Sequence, residues 1–158
     1  MKPIKSLFLL GHMPRRSRSS SGFTLIESMV TVALVAILAA VAYPSYLAHI
    51  TRANRSAAES YLLEVSTLQQ RYLLDARSYA ADMTTLSASP PSSVSSSYAI
   101  TTAAKAGTTP PGFTVTATPV GAQLARDTQC GVLSIDEAGA RFYQSTLNDS
   151  AGLAACWR

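Results

Sequence analysis

A run of mostly apolar residues from Phe23 to Tyr43 is the feature that most constrains what this 158-residue chain can fold into. An α-helix of these 21 residues is about 31 Å long at roughly 1.5 Å per residue, close to the approximately 30 Å hydrocarbon core of a bilayer. The run therefore predicts one transmembrane helix that takes no part in a globular core. Glu27 lies within it, and because an ionised side chain near the bilayer centre costs roughly 2.5–3.5 kcal/mol on insertion scales, this carboxylate is a candidate functional residue.

Basic residues are concentrated before this run. The formal net charge is +4, and five of the 13 basic residues precede Phe23, where no acidic residue lies: Lys2, Lys5, Arg15, Arg16 and Arg18. From Phe23 onward, 8 basic and 9 acidic residues leave a net charge of −1. Because Lys- and Arg-rich flanks stay in the cytoplasm, we expect the amino terminus inside the cytoplasm and the carboxyl-terminal part outside it.

A removable secretory signal is the alternative explanation of the same segment. Residues 40–42, Ala-Val-Ala, form the small-residue pattern that signal peptidase accepts, and cleavage there gives a mature chain beginning at Tyr43. The transmembrane helix is favoured because the apolar run is long for a signal, Glu27 is unusual within one, and a helical pattern continues beyond Pro44. The mass of the exported protein distinguishes the two.

The apolar period resumes directly after Pro44. Positions three or four residues apart form one apolar stripe: Tyr46, Ile50, Ala53, Ala57, Tyr61, Val65, Leu68 and Tyr72. Most charged side chains of the segment fall off this stripe: Arg52, Arg55, Glu59 and Arg71. We predict one helix from about Thr24 to about Leu74, with residues 23–43 in the membrane and residues 44–74 packed on a head domain. Pro44 predicts a bend or a melted turn, and a helix that ends there is the alternative.

The remaining residues, 75–158, predict a small globular head. Ser87 to Ser97 contains seven Ser and two Pro residues, so we expect a loop that neither builds a core nor holds a helix. Alternating apolar and polar residues predict three or four strands: Tyr98–Thr101, Phe113–Thr118, Gly131–Ile135 and Arg141–Tyr143. The expected fold class is α+β, a small antiparallel sheet over one face of the long helix.

Cys130 and Cys156 are the only cysteines. The predicted orientation places both outside the cytoplasm, where disulfides form and persist. A bridge between them closes a loop of about 26 residues, which the chain-entropy model values at roughly 3–4 kcal/mol. We predict this disulfide, and two free thiols are the less favoured alternative.

The segment from Gly22 to Glu27, Gly-Phe-Thr-Leu-Ile-Glu, resembles the prepilin signature of the type IV pilin family. The resemblance includes the short basic leader and Pro44, which follows the Phe by 21 residues. It implies that a prepilin peptidase removes residues 1–22 by cutting after Gly22, and that the new amine of Phe23 is methylated. The polar Ser28 and Thr31 depart from the aliphatic pattern of major pilins and favour a minor subunit.

The same resemblance implies partners and a location. In type IV pilins a similar cysteine pair delimits a variable surface loop, and the terminal Cys-Trp-Arg, residues 156–158, resembles the end of PilE-like minor pilins of Gram-negative bacteria. A subunit of this kind is stored in the inner membrane with its head in the periplasm and is then incorporated into the extracellular pilus or its priming complex. The implied partners are other pilin subunits, the prepilin peptidase and the inner-membrane assembly machinery. Pilus assembly, twitching motility and adhesion are the implied functions.

Cleavage after Gly22 gives Glu27 a natural partner. The new amine on Phe23 is a cation four residues before the carboxylate, so both lie on one helix face, and the helix dipole also favours a carboxylate in the first turn. In an assembly of parallel helices, Glu27 of an arriving subunit can pair instead with the amine of a subunit already in place, as the family resemblance implies. Removing one partner of a buried ion pair costs roughly 3–5 kcal/mol.

No sequence motif indicates catalysis. His12 lies in the leader and His49 is alone on the predicted helix, without cysteines or carboxylates at metal-ligand spacing. No serine lies in a Gly-x-Ser-x-Gly elbow, and a solvated turn explains the adjacent Asp136 and Glu137 better than acid–base chemistry. We therefore expect no enzyme activity, no metal site and no cofactor.

Binding of exogenous DNA is the alternative function, because some minor pilins resemble DNA-uptake receptors. From Pro44 onward 8 basic and 8 acidic residues are scattered, whereas DNA binding generally needs a basic patch. Arg126, Arg141 and Arg158 are the candidate DNA contacts if the fold brings them together. A pseudopilin of a type II secretion system shares the amino-terminal signature and is disfavoured mainly by the cysteine pair and the carboxyl end.

Overall fold

A single long helix, α1 (Leu25–Ala76), confirms the predicted continuous helix to within two residues at each end. The structure is a computed structural model and describes residues 22–105 and 107–157. The helix begins after Thr24, whose Oγ1 accepts the backbone N–H of Glu27 at 3.3 Å, as an N-cap side chain does. Residues on both sides of Pro44 are helical without interruption, so no melted turn is present, and the bend at Pro44 stays a prediction.

The chain divides into two units, one ending at Ala39 and the other starting at Ala40. In the described part of the first unit, residues 22–39, every side chain is exposed, and the large apolar ones retain 52–78 % of their accessible surface. Because α1 is long and apolar enough to cross a membrane, the helix satisfies the length and composition expected of the predicted span.

The second unit contains a four-stranded antiparallel sheet that confirms the predicted α+β fold class. Its strands follow one another in sequence order: β1 (Tyr98–Lys105), β2 (Gly112–Pro119), β3 (Leu133–Asp136) and β4 (Arg141–Phe142). Pairs such as Thr101–Thr116 and Val115–Ile135 fix the register of the three longer strands. Each strand lies where the alternating pattern predicts it, although β1 extends four residues further.

The core lies between one face of α1 and one face of the sheet. It joins four helix residues to the inward side chains of the strands: Ala58, Tyr61, Leu62, Val65, Tyr98, Ile100, Phe113, Val115, Ala117, Leu133 and Ile135. The buried helix face differs from the predicted apolar stripe, since Tyr46 and Ala53 are exposed while Glu59 and Gln69 are buried. Gln69 is satisfied by the backbone of Ala80 and the hydroxyl of Thr102, partners that apolar periodicity alone does not reveal.

Three short helices complete the head: α2 (Ser92–Ser95), α3 (Gly121–Arg126) and α4 (Ser150–Cys156). The prediction that Ser87–Ser97 holds no helix and builds no core is wrong, because α2 lies inside it and Val94 is only 2 % exposed. The carbonyl of Pro91 accepts the N–H groups of Val94 and Ser95, both at 2.9 Å, which closes this turn without a side-chain cap. The buried side chain of Val94 packs this turn against the core.

Candidate functional site

The amino-terminal signature residues lie at the start of α1. Gly22, Phe23 and Thr24 precede the helix, and Glu27 is exposed in its first turn. In this uncleaved chain the nitrogen of Phe23 is an amide, so the predicted ion pair with Glu27 has no cation here and stays a prediction. A Cβ placed on Gly22 meets no described atom within 4 Å, so packing within the described residues does not require glycine at this position. Residues 1–21 of the predicted leader lie outside the described residues.

A buried polar network joins α1 to the residue that follows α3. The carboxylate of Asp127, whose side chain is 1 % exposed, accepts from Arg55 Nη2 at 2.8 Å and from Arg55 Nε at 2.9 Å. It also accepts from the hydroxyl of Tyr98 at 2.9 Å and from the amide of Gln123 at 3.0 Å. Gln123 donates further to the carbonyl of Thr51 at 3.0 Å. Because the bidentate arginine offsets the buried carboxylate, the network holds α1, β1 and α3 together.

The network changes the acidity of Tyr98. Burial of its ring disfavours the phenolate and raises the pKa of Tyr98, and the neighbouring carboxylate of Asp127 raises the pKa further. The phenol therefore keeps its proton throughout the neutral range and remains a donor to Asp127.

The predicted disulfide between Cys130 and Cys156 is confirmed, with Cα atoms 5.4 Å apart and both residues 1 % exposed. The segment that it closes is structured, because it contains β3, β4 and α4. Arg55 extends the polar network to this segment by donating to the carbonyl of Ala155 at 3.1 Å. The disulfide-bounded segment is thus tied to α1 directly.

Local contacts fix α4 within this segment. Asp149 caps the helix by accepting the N–H of Gly152 at 2.9 Å, and its other oxygen accepts from the hydroxyl of Tyr143. A Cβ at Gly152 would lie 2.0 Å from the ring of Tyr143, so only glycine allows this close approach. Beyond the helix, the indole of Trp157 donates to the carbonyl of Phe142 at 3.0 Å.

The candidate DNA contacts have different surroundings. Arg126, at the end of α3, is exposed and lines an open groove together with Arg52. Arg141, on β4, lies over the ring of Trp157 with 5.4 Å between its guanidinium carbon and the ring centroid, and it does not line that groove. Arg158 lies outside the described residues. Sequence reasoning missed Arg52 because it is 74 residues away from Arg126 along the chain.

The adjacent acids Asp136 and Glu137 have structural partners. Glu137 pairs with Lys105 at 2.7 Å, and the hydrogen bond from Lys105 lowers the pKa of Glu137. Asp136 accepts the N–H groups of Ala138 and Ala140, at 3.0 and 2.8 Å, which closes the turn between β3 and β4. Within residues 22–105 and 107–157, no group of three His, Cys, Asp or Glu side chains is arranged to hold a metal ion.

The described structure defines a class of protein with two features. One is an exposed apolar helix at the amino terminus, and the other is an α+β head in which a disulfide links Cys130 to Cys156. A family model described as the type IV minor pilin ComP, DNA uptake sequence receptor, matches residues 44–134, more than half of the chain. A model of the prokaryotic N-terminal methylation motif matches residues 17–43. The chain belongs to the type IV pilin family.

Individual relatives match over shorter lengths. The chain is 41 % identical over 69 residues to the type IV wide pilus major component PilA4 of Thermus thermophilus, covering 44 % of this chain and 53 % of that protein. It is 37 % identical over 59 residues to the type IV major pilin protein PilA of Myxococcus xanthus, covering 37 % of this chain and 27 % of that protein. The chain therefore spans about half or less of the length of these relatives.

Among solved structures, a type IV pilin from Shewanella oneidensis matches with a TM-score of 0.45 and 25 % identity, covering 63 % of this chain and 98 % of that one. The methylation motif and the apolar helix identify the chain as a single-pass pilin of the inner membrane.

Proposed function

We propose that this protein is a minor subunit of a type IV pilus, stored in the inner membrane and incorporated into the pilus or its priming complex. The observation that carries the proposal is the exposed apolar helix with Glu27 in its first turn, directly after Gly22 and Phe23. Nothing in the described part of the chain covers this surface, so in water it needs either a bilayer or other apolar helices. A filament of parallel helices provides the second environment.

In this proposal the prepilin peptidase cuts after Gly22, the amine of Phe23 is methylated, and Glu27 guides assembly. The carboxylate of an arriving subunit pairs with the amine of a subunit already in place, which offsets the burial of both charges. The role is structural rather than enzymatic, and it supports pilus assembly, twitching motility and adhesion. Its partners are the other pilins, the prepilin peptidase and the inner-membrane machinery.

Substitution of Glu27 tests the proposal. We expect Glu27→Ala to remain in the membrane at normal abundance but to be largely absent from sheared pili, because the buried amine of Phe23 loses its partner at a cost of roughly 3–5 kcal/mol. Immunoblots of the sheared and membrane fractions measure both amounts. Ser28→Ala is the matched control, because it alters the next residue of the same turn without removing a charge, and it should incorporate normally. Wild-type incorporation of Glu27→Ala would contradict the proposal.

A DNA receptor is the second candidate function, because the model that matches residues 44–134 is described as a DNA uptake sequence receptor. The candidate contacts are Arg126, Arg141 and Arg158, of which the first two are exposed in the described head. Each phosphate contact adds about −0.9 to the slope of log K against log salt concentration. A receptor of this kind therefore binds DNA with a strong dependence on salt.

Duplex binding by the purified full chain tests the second candidate. We expect the triple substitution of Arg126, Arg141 and Arg158 by Ala to weaken binding and to make the salt slope shallower by up to about 2.7. Arg71→Ala, which removes an exposed charge from α1, is the control and should leave the slope almost unchanged. Absence of binding at low salt would exclude the receptor and leave the structural subunit.

A further inference from the structure

An open groove of about 670 Å³ lies between the first turns of α1 after Pro44 and the segment that follows α3. Its walls combine apolar, basic and neutral polar residues, among them Pro44, Leu47, Arg52, Arg126, Thr128 and Gln129. All of the described residues that line it belong to the second unit of the chain.

The charge in the groove is positive and unbalanced. Arg55 also lines it, but Asp127 neutralises that guanidinium through a bidentate ion pair. Arg52 and Arg126 are both exposed, and neither forms an ion pair with a described carboxylate. Because Asp127 is the only carboxylate among the lining residues that the structure describes, these residues present two unmatched positive charges to a ligand.

The part of the groove lining that comes first along α1 is apolar. Of the described residues that line it, Pro44, Leu47 and Ala48 lie nearest to the predicted span along α1, and all three are apolar. The flanking tyrosines, Tyr43 and Tyr46, are each 62 % exposed. Exposed tyrosines at the end of an apolar span are typical of a membrane–water interface.

The distance along α1 from the span to the basic residues matches the headgroup region. Arg52 is nine residues beyond Tyr43, the last residue of the predicted span, which corresponds to about 13 Å of helix. Side chains on a helix tilt toward its amino terminus, so the long side chain of Arg52 leans toward the membrane. Lipid headgroups extend roughly 5–8 Å beyond the hydrocarbon core on each side, within reach of such a side chain.

We propose that this groove binds the headgroup of an anionic phospholipid in the periplasmic leaflet of the inner membrane. Arg52 and Arg126 contact the phosphate, Thr128 and Gln129 offer hydrogen bonds to the polar headgroup, and Pro44 and Leu47 contact the start of the acyl chains. Basic pockets between transmembrane helices bind anionic headgroups on the cytoplasmic or matrix side of membranes, and the same pairing of arginine with phosphate applies to an anionic headgroup in the periplasmic leaflet. The inference rests on the membrane-stored form of the proposed subunit, and the lipid has to leave when the subunit enters a filament.

A phospholipid suits the groove better than duplex DNA does. Duplex DNA carries one negative charge per roughly 1.7 Å of axis and is bound through a track of many basic residues. The groove offers two unpaired arginines and an apolar part of its lining, a combination that matches one phosphate attached to acyl chains.

Native mass spectrometry of the full chain in neutral detergent tests the proposal. The probes are phosphatidylglycerol and zwitterionic phosphatidylcholine, added in equal amounts. We expect the wild type to bind phosphatidylglycerol preferentially, and Arg52→Gln with Arg126→Gln to weaken that binding about 25-fold, since each arginine near an anionic surface contributes roughly fivefold. Arg52→Lys with Arg126→Lys keeps both charges and should retain the preference.

The matched control is Arg71→Gln with Arg77→Gln, which removes two exposed charges outside the groove and should bind phosphatidylglycerol as the wild type does. Equal binding of the two lipids, or wild-type binding by the Arg52 and Arg126 double Gln variant, would overturn the proposal. Displacement of the lipid by an equal concentration of inorganic phosphate would also overturn it, because the groove would then bind free phosphate. A double Gln variant that loses duplex binding but keeps lipid binding would assign the groove to DNA instead. Lipid binding is measured on the purified chain, whereas the proposed function is tested by the amount of Glu27→Ala in sheared pili. Failure of the lipid proposal is therefore distinguishable from failure of the proposed function.

Discussion

At the residue scale, Asp127 is the acceptor on which the head's polar network depends. Its carboxylate accepts hydrogen bonds from Arg55, Tyr98 and Gln123, and the ion pair is largely shielded from solvent, with 1 % of the Asp127 side chain and 12 % of the Arg55 side chain exposed. A buried pair of this kind adds little net stability over apolar packing, but loss of one partner is costly because the other stays charged and buried. The head is therefore stable only when α3 packs on α1 in the position that brings Asp127 to Arg55.

We expect Asp127→Ala to lower the free energy of unfolding of the head by about 3–5 kcal/mol, because Arg55 keeps its charge without a counter-ion. Thermal or urea unfolding of the full chain in detergent measures the change. Asp75→Ala removes an exposed carboxylate near the end of α1 and should stay within about 0.5 kcal/mol of the wild type. A loss below about 1 kcal/mol for Asp127→Ala would contradict the role assigned to the network.

The raised pKa of Tyr98 predicts that the free energy of unfolding of the head depends on pH in the alkaline range. Its unfolded pKa is 10.0, and burial followed by the charge of Asp127 raises the pKa in the folded head. Below pH 10 the phenol is protonated in both states, so its contribution is fully present. As the pH rises above 10, the unfolded chain loses a proton that the folded head retains, and the free energy of unfolding falls.

Unfolding of the full chain as a function of pH measures this effect. We expect Tyr98→Phe to be less stable than the wild type at neutral pH, because it loses the hydrogen bond to Asp127, but to lose less stability above pH 10. The pKa values of Tyr61 and Tyr143 are also raised, and these residues remain in both proteins as a common background. Identical alkaline slopes for the two proteins would show that Tyr98 is not the titrating group.

At the scale of elements, the disulfide holds β3, β4 and α4 as one segment. Cys130 and Cys156 are 26 residues apart, and the chain-entropy model values closure of such a loop at roughly 3–4 kcal/mol. We expect Cys130→Ser with Cys156→Ser to lower the unfolding temperature and the abundance of the subunit in the membrane. Reductant should lower the unfolding temperature of the wild type and leave that of the double Ser variant unchanged. A wild type unaffected by reductant would show that the bridge adds no stability.

The elements differ in how well the sequence predicts them. Long periodic segments such as α1 and β2 are predictable, because many residues repeat the same spacing. The short helices are not, since α2 and α3 have no side-chain N-cap and hold only four and six residues. For α4 a signal was available, because Asp149 is a favourable N-cap residue before a run of small residues and Leu153.

The polar sites were harder to predict than the elements. Arg55 and Asp127 are 72 residues apart, and a helix pattern that assigns charged residues to the solvent face places Arg55 and Glu59 outside the core. Only tertiary packing makes such side chains buried. By contrast, the signature around Glu27 is local, so the sequence alone was sufficient to find it.

At the scale of the whole molecule, charge is separated by region. Five basic residues precede Phe23, the span holds a single carboxylate, and the part from Pro44 onward is balanced with 8 residues of each sign. A balanced head has no large field that would bind anions over its whole surface. Recognition of DNA or lipid therefore depends on local clusters such as the groove with Arg52 and Arg126.

The contact from Arg55 to the carbonyl of Ala155 has a consequence for protein engineering. The acceptor is a backbone atom, so any residue at position 155 that keeps the helical backbone of α4 also keeps the hydrogen bond from Arg55. The disulfide and this hydrogen bond together attach the segment to the rest of the head, and neither depends on the side chains between Cys130 and Cys156. The exposed side chains of Ser145 and Thr146 are therefore suitable places for residues of a foreign epitope, provided that the backbone N–H groups of Gln144 and Ser145 keep their hydrogen bonds to the carbonyls of Cys130 and Val132.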